Sequence, residues 1–333
     1  MSHRKSGRSL HEQAHARMRS MLAPGDSKHA DRLTGADRGK IYSFDTYKSY
    51  KKTVNSFCKW VKSEYPETTS FAKAREYVPE YLDQREEQGL SAWTLSLDAA
   101  ALAKVYGITP DDPDRWEPPK RHREDITRSR GEAARDSHFS TRTNSELIAF
   151  CKATGPRRSA LERLTGEDYY NREEAEEEAE IARDEGDTSR AEVFELALET
   201  FPDQDAFVLF EGDKGGLSRL SPIIGEAKEA VIARFEGTQE GRPVWEHVPD
   251  RADIHSYRAD YATALYKTYA ATPDQLDPSD RCTTVKGEER SAVYCCRGDE
   301  RGKRLDYKAA EKVSIALGHK RVDTAVTNYI RNI

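Results

Sequence analysis

The stretch DAFVLFEGDKGGLSRLSPII, residues 205–224, contains two short apolar runs on either side of the glycine-rich turn GDKGG. Short apolar runs joined by a glycine-containing turn are typical of a β-hairpin. Residues 205–212 and 217–224 are therefore predicted to be paired strands. The turn between them contains Lys214, which makes that lysine the first candidate functional residue.

Helical patterns surround this hairpin, so the domain over residues 141–333 is predicted to be mainly α with a small β-sheet. Gly318 is predicted to end the penultimate helix, and Asp323 is predicted to cap the last one. Residues 272–304 are polar and irregular, with a possible strand at SAVYCC. The predicted helices are TRTNSELIAFCKAT (141–154), RRSALERL (157–164), HSYRADYATALYKTYA (255–270), YKAAEKVSIALGH (307–319) and DTAVTNYI (323–330).

A second, smaller domain is predicted over residues 41–108, where apolar residues recur at helical spacing through three or four helices. Pro79 is predicted to kink or split one of these helices. Residues 109–140 contain clustered prolines and charges and read as a linker, which either crosses a DNA backbone or is simply solvated. Residues 1–40 are predicted to be a flexible basic arm, with a helix near 9–22.

The charge of the chain is unevenly distributed. The net charge is -6, but residues 171–205 alone hold 14 acids and 3 bases, which leaves the rest of the chain at +5. The acidic segment is predicted to be a helical insertion into the larger domain, either a solvated helix pair away from DNA or a protein-binding surface. The overall charge therefore neither supports nor excludes a partner made of nucleic acid.

The composition argues against a membrane-spanning protein, a secreted protein and a zinc-binding protein. Apolar residues make up 36% of the chain without any long uninterrupted apolar run, and the N-terminus lacks the pattern of a secretory signal. The five cysteines do not form a CxxC pair, which argues for reduced thiols and against a zinc site. We expect a cytoplasmic protein with no metal and no cofactor.

Four short patterns occur in a fixed order within the larger domain: TGPRRSALERL at 154–164, DKGG at 213–216, HSYR at 255–258, and LGH at 317–319 followed by Tyr329 ten residues after His319. Each pattern alone is common by chance and is usually structural. Their order, spacing and local structure together resemble the tyrosine recombinases, the phage-integrase-like site-specific recombinases. The helical segment at 42–107 likewise resembles the core DNA-binding domain of that family, and residues 141–333 its catalytic domain.

The resemblance implies a set of catalytic residues and a reaction. It implies attack by Tyr329 on a DNA phosphodiester, giving a 3′-phosphotyrosyl enzyme and a free 5′-hydroxyl without metal or ATP. Two arginines fork onto the phosphate oxygens, which is the charge stabilisation that many enzymes obtain from a divalent metal. The implied catalytic residues are Arg157, Lys214, His255, Arg258, His319 and Tyr329.

The resemblance also implies roles in proton transfer. A tyrosine hydroxyl has an ordinary pKa near 10 and needs help to attack. His255 and Arg258 are expected to accept its proton or to stabilise the phenolate, Lys214 to protonate the leaving 5′-oxygen, and His319 to donate a hydrogen bond to the phosphate.

The sequence departs from the family pattern in several places. Arg158 competes with Arg157 for the first arginine position. The family often has an acidic residue three positions after that arginine, where this chain has Ala160, so Glu162 or Asp168 is expected to buttress the arginines instead. Because few residues follow Tyr329, its helix is expected to have little to anchor it, and a neighbouring subunit to help position it.

The resulting prediction is a recombinase that acts on double-stranded DNA sites as a homo-tetramer, being monomeric or weakly associated when free. One alternative is a type IB topoisomerase-like nicking and closing enzyme, which shares the chemistry but works as a monomer. Another is a DNA-binding regulator with the same fold and no catalysis.

Overall fold

The computed structural model describes residues 8–122, 125, 138–213, 216–331 and 333. In the predicted linker over 109–140, residues 123–124 and 126–137 lie outside these residues, and so does Lys214. The chain divides into two compact units, Met1–His122 and Arg123–Ile333. Across the described residues, no helix combines the length and the apolar character needed to cross a membrane.

The N-terminal unit is helical. Short 3-10 turns at Ala36–Gly39 and Lys73–Tyr77 join longer helices around one apolar core. Pro79 lies in the first turn of α4, where its missing N–H costs no hydrogen bond, so it starts a new helix. The helices are α1 (Leu10–Ser20), α2 (Lys28–Thr34), α3 (Phe44–Glu64), α4 (Val78–Glu87) and α5 (Ala92–Tyr106).

The helix predicted near 9–22 is present as α1, but it packs into the core of this unit and does not belong to a flexible arm, which corrects that part of the prediction over residues 1–40. Ser9 caps α1 through a reciprocal capping box with Glu12. Leu10, Ala14 and Met18 recur every four residues, and all three are buried in the core of the unit. The polar composition of the segment concealed this apolar face, since three residues at the right spacing suffice to dock a short helix.

The C-terminal unit confirms the predicted fold class, mainly α with a small β-sheet. Short 3-10 turns lie at Gly166–Asp168, Pro273–Gln275 and Gly298–Glu300. The helices are α6 (Ser145–Thr154), α7 (Arg158–Leu161), α8 (Arg172–Asp184), α9 (Thr188–Thr200), α10 (Lys228–Glu236), α11 (Ile254–Tyr269), α12 (Tyr307–Ala316) and α13 (Val322–Asn328). The strands are β1 (Tyr169–Asn171), β2 (Ala206–Asp213), β3 (Leu217–Pro222), β4 (Arg281–Thr283), β5 (Glu289–Ser291), β6 (Val293–Cys295) and β7 (Arg304–Asp306).

The hairpin predicted around GDKGG is present as β2 and β3, which pair antiparallel with Leu209 opposite Leu220. The short strand β1 adds to the other edge of β2, so the sheet has the order β1-β2-β3. Residues 206–210 are all buried, because helices cover both faces of β2. The register shifts between Phe210 and Asp213, a bulge just before the turn that re-aims the end of β2.

The acidic segment forms α8 and α9, as its predicted helical character requires. The inner faces of the pair, with Ala175 and Ala179 on α8 and Phe194 and Ala197 on α9, are buried in the same core cluster as α11 and α12. The glutamates lie on the outer faces. The helix pair is therefore part of the packed domain and not only an appended surface.

Two smaller predictions concern the C-terminal third of the chain. Residues 272–304 contain two small antiparallel hairpins, β4–β5 and β6–β7, and the possible strand at SAVYCC is β6. The last helix has Arg321 at its N-cap without a side-chain cap, and Asp323 lies within the first turn. Asp323 therefore does not cap α13 as predicted, although a carboxylate in the first turn still suits the helix dipole.

Candidate active site

Helix α11 positions the HSYR residues. Asp253 caps its start by accepting a hydrogen bond from the backbone N–H of Ser256. His255 and Arg258 are three residues apart and therefore lie on the same side of the helix. His255 is exposed at the helix start, whereas Arg258 is completely buried.

The side chain of Tyr329 lies where the predicted catalytic residues converge. Its ring centroid is 5.0 Å from that of His255 and 5.3 Å from that of His319. The guanidinium carbon of Arg258 is 5.2 Å from the same centroid. Tyr329 is only 7% exposed. Residues from α11, from the end of α12 and from α13 thus surround one phenol ring.

The two candidate arginines at the start of α7 point to different partners. Nη1 of Arg157 is 2.5 Å from Oδ2 of Asp213 at the end of β2. Arg158 instead donates to the backbone carbonyls of residues 248, 249, 250 and 252, which fixes that loop. Neighbouring residues on a helix differ by about 100° in direction, so only one of the pair reaches the cluster. That residue is Arg157.

Lys214 lies outside the described residues, so its place in the site stays a prediction. The flanking residues Asp213 and Gly216 are described. Asp213 is buried and contacts Arg157, which brings the start of the turn to the arginines.

Arg219 on β3 belongs to this cluster and was missed in the sequence. It is only 4% exposed and donates to the carbonyl oxygens of Ala316, at 2.6 Å, and Gly155, at 3.2 Å. Its guanidinium also donates to Ser221 and lies 4.0 Å from the ring centroid of Phe210. The signal that could have revealed it is an arginine inside a run otherwise read as a buried strand, because a buried charge needs specific partners.

The carbonyl of Gly155 joins two of the arginines. It accepts hydrogen bonds from both Arg219 and Arg258, while Nη2 of Arg258 donates to the carbonyl of Leu317 at 2.6 Å. Gly155 has a φ of +62°, and a Cβ there would lie 2.3 Å from Cδ1 of Tyr261. Only glycine provides both this left-handed conformation and the close approach of its backbone to α11.

The site concentrates positive charge in a buried place. Burial and the neighbouring charge of Arg157 lower the pKa of Arg258 to about 10, even though Tyr329 and Asp213 act in the opposite sense. Burial and the neighbouring Arg258 also lower the pKa of Arg219. Within the part of the chain that the structure describes, Asp213 is the carboxylate paired with Arg157 and Arg219, and its charge also acts on Arg258. Such an excess of positive charge favours binding of an anion.

His319 is held neutral by the same surroundings. Burial and the positive charges of Arg258, Arg157 and Arg219 lower its pKa to about 3. Among the residues that the structure describes, its Nε2 and the Nε of Arg258 have no hydrogen-bond partner although both atoms are buried. Buried donors without partners are rare in proteins and are found where a polar ligand binds.

The carboxylates expected to buttress the arginines serve other residues. Oε1 of Glu162 is 3.6 Å from Nη1 of Arg158, and Asp168 accepts hydrogen bonds from Thr165. Asp213 takes their predicted place at Arg157. Within the described part of the chain, no group of three or more His, Cys, Asp or Glu side chains is arranged to hold a metal ion.

Tyr329 is anchored within its own subunit, which corrects the expectation that its helix has little to hold it. The hydroxyl of Thr263 on α11 donates to the carbonyl of Tyr329 at 3.3 Å and accepts from the backbone N–H of Arg331 at 3.0 Å. The side chain of Arg331 donates to Ser256, and Ile330 is buried in the core. The residues after the tyrosine thus bind back onto α11.

Comparison with protein families gives one match. Residues 38–108 match the family described as phage integrase, N-terminal SAM-like domain. This range includes α3, α4 and α5 of the N-terminal unit. No curated protein matches the chain.

Two solved structures are similar to the chain at low identity. The first is the Tn1549 transposon integrase in complex with circular intermediate DNA, with 11% identity and a TM-score of 0.41, covering 98% of this chain and 96% of that one. The second is the XerA recombinase, with 14% identity and a TM-score of 0.27, covering 96% of this chain and 94% of that one.

Proposed function

We propose that this chain, whose residues 38–108 match the phage integrase N-terminal SAM-like domain, is a tyrosine recombinase that cuts and rejoins DNA with Tyr329 as the nucleophile. The observation that carries this proposal is the convergence of His255, Arg258 and His319 on the Tyr329 ring, each with a centroid or guanidinium carbon about 5 Å away. A tyrosine used only for packing needs no such surroundings.

The phosphate would be held by charge. Arg157 and Arg258 each carry five N–H donors in a planar fork, of which only some are used by the contacts within the protein. The remaining donors suit the non-bridging oxygens of a phosphodiester, and their effect grows as charge develops in the transition state. Since His319 is neutral, it acts as a hydrogen-bond donor only in the tautomer with the proton on Nε2.

The reaction is a transesterification in which the number of phosphate ester bonds is conserved. The Tyr329 oxygen attacks phosphorus and its proton passes to His255, while the bond to the 5′-oxygen breaks. Lys214 gives that oxygen its proton. The products are a 3′-phosphotyrosyl link and a free 5′-hydroxyl. The reverse reaction with a second 5′-hydroxyl rejoins DNA without ATP.

The test uses a DNA pool, because the chain does not name its target sequence. Full-length protein is incubated with fragments from the DNA that flanks its gene and with randomised duplexes, both carrying 5′-bridging phosphorothiolates. A sulfur leaving group departs readily and rejoins poorly, so a covalent intermediate accumulates. We expect a denaturant-resistant adduct whose peptide carries the modification on Tyr329.

The matched variants are Tyr329→Phe and Tyr257→Phe, since Tyr257 is a half-buried tyrosine on α11 outside the cluster. Tyr257→Phe should form the adduct and Tyr329→Phe should not. An adduct that persists in Tyr329→Phe, or none from the wild type across the whole pool, contradicts the proposal.

We propose further that the partner is double-stranded DNA and that four protomers act on two duplexes. Exchange of strands between two captured sites supports a recombinase. Relaxation of supercoils by a monomer, without exchange, supports the type IB topoisomerase alternative instead. Binding of DNA without any cleavage supports a regulator.

A further inference from the structure

We infer that Asp213 is the positioning residue for Arg157, and that it couples this arginine to the end of β2, which directly precedes Lys214 in the sequence. The inference rests on the proposed function. The carboxylate in question lies on the hairpin. The position three residues after Arg157, where the family often has an acidic residue, is Ala160 in this chain.

The distances favour Arg157 as the residue that Asp213 orients. Oδ2 of Asp213 is 2.5 Å from Nη1 of Arg157 and 3.5 Å from Nε of Arg219. Arg219 is already fixed by Ser221 and by the carbonyls of Gly155 and Ala316. Asp213 is the hydrogen-bond acceptor that the structure gives for Arg157, so the geometry of Arg157 depends on it far more.

Burial makes this contact strong enough to hold one geometry. The side chain of Asp213 is 2% exposed and that of Arg157 is 19% exposed. An exposed ion pair contributes little, but a buried carboxylate that loses its partner is strongly destabilised. The carboxylate therefore fixes one edge of the Arg157 guanidinium and leaves its other N–H groups for the phosphate.

Sequence position makes Asp213 a link between two catalytic groups. It is the last residue of β2 and directly precedes Lys214. The register between β2 and β3 shifts between Phe210 and Asp213, and the carboxylate of Asp213 contacts Arg157. Any displacement of the end of β2 thus moves the carboxylate and disturbs Arg157.

The charge of Asp213 predicts opposite effects on binding and on catalysis. Its negative charge offsets part of the positive charge of Arg157, Arg219 and Arg258. Removing it makes the site more attractive to a phosphate while leaving Arg157 without its orienting partner. A residue with a merely structural role would weaken both steps together.

The experiment compares Asp213→Asn with Asp168→Asn in the full chain. Asp168 is a half-buried carboxylate that caps Thr165 and does not contact the arginines, so it controls for the loss of a folded-in carboxylate. Dissociation constants are measured in a Tyr329→Phe background, and single-turnover cleavage rates in the active enzyme. Both use the DNA captured as adduct by the wild type.

We expect Asp213→Asn to cleave about 10- to 100-fold more slowly, with a dissociation constant unchanged or lower, which is the range for a misplaced transition-state contact. Asp168→Asn should cleave within about threefold of the wild type, as expected for a change remote from the reacting atoms. The inference is overturned if Asp213→Asn cleaves within about threefold of the wild-type rate. It is also overturned if the cleavage rate and the DNA affinity of Asp213→Asn fall by the same factor.

A double-mutant cycle with Arg157→Ala tests whether Asp213 acts through Arg157. If it does, Asp213→Asn has no further effect on the cleavage rate once Arg157 is gone, whereas fully additive losses overturn the inference. Should Asp213→Asn fail to fold, Asp213→Glu replaces it in the same cycle, because the longer side chain keeps the charge and displaces Arg157. A wild type that forms no adduct contradicts the proposed function instead, so the two failures are distinguishable.

Discussion

The acidic helix pair α8–α9 carries its charges on exposed faces, whereas the arginine cluster, formed by Arg157, Arg219 and Arg258, carries them in a largely buried place. Residues 171–205 hold 14 acids, yet the inner faces of the two helices are apolar and the exposed ion pairs lie outside, such as Arg183 with Glu195. At α11 one residue, Arg258, is buried completely with its charge. The exposed charges of the acidic pair lower the stability of the fold little, because they stay in water. The few buried charges carry a large desolvation penalty, which is typical of groups kept for a function.

The largest difference should come from removing one arginine in each region. We expect Arg258→Ala to lower the cleavage rate by roughly 10³-fold or more, since a buried donor to the transition state is lost. Arg190→Ala on α9 removes an arginine that pairs with Glu178 and Glu211, and its cleavage rate should change by no more than about twofold. Single-turnover adduct formation measures both, and equal losses would erase the distinction between the regions.

A second comparison uses glycines with positive φ in the two regions. Gly155→Ala places a Cβ 2.3 Å from the ring of Tyr261, so we expect the free energy of unfolding to fall by about 3 kcal/mol or more. Gly186→Ala, between α8 and α9 at φ +81°, meets nothing within 4 Å and should cost only the backbone strain of about 1 kcal/mol. Chemical denaturation measures both, and a cost for Gly155→Ala no larger than that for Gly186→Ala contradicts the packing described.

The pH dependence of stability gives a third test. The folded pKa of His319 is about 3 against an ordinary value of 6.5. Unfolding therefore takes up a proton between these values, and the stabilisation is present above about pH 6.5 and is lost as the pH falls towards 3. We expect the wild type to lose stability relative to His319→Gln by at most about 1.4 kcal/mol per pH unit in this window. Urea unfolding of both proteins from pH 7 to pH 4 checks it, and a constant difference would mean that His319 is not held neutral.

The smallest effect is expected on the acidic pair. Glu173, Glu177 and Glu180 are exposed on α8. If the pair is the solvated one away from DNA, which is one of the two alternatives from the sequence, changing all three to Gln should alter the dissociation constant for DNA by less than about threefold at 0.15 M salt, where exposed charges beyond about 8 Å are screened. A tenfold tightening would place the acidic face close to the DNA. Titrations at two salt concentrations separate these outcomes.

The sequence was informative where local pattern decides structure. Spacing and turn residues predicted the hairpin around GDKGG, the helix that carries His255 and Arg258, and the end of α12 near Gly318. The four motifs pointed to Arg258, His319 and Tyr329, which the structure places in one cluster.

Long-range contacts decide what the sequence could not reveal. Arg219 and Asp213 belong to the site because β2 and β3 pack against residues 155 and 316, which no local spacing encodes. Arg157 and Arg158 are equivalent in pattern and differ only in what surrounds them in the fold. The helix at residues 10–20 was predicted, but its packing into the core was not, because three apolar residues in a basic segment are a weak signal.

The bonds of Thr263 to residues 329 and 331 have a mechanical consequence. They join the backbone of Tyr329 to α11, the helix that carries His255 and Arg258, so we expect these three residues to move together. A displacement of α11 leaves their mutual geometry intact. If the chain acts as proposed, a change that switches its activity would act at β2, β3 and Arg157, which the hydrogen bonds of Thr263 do not join to α11.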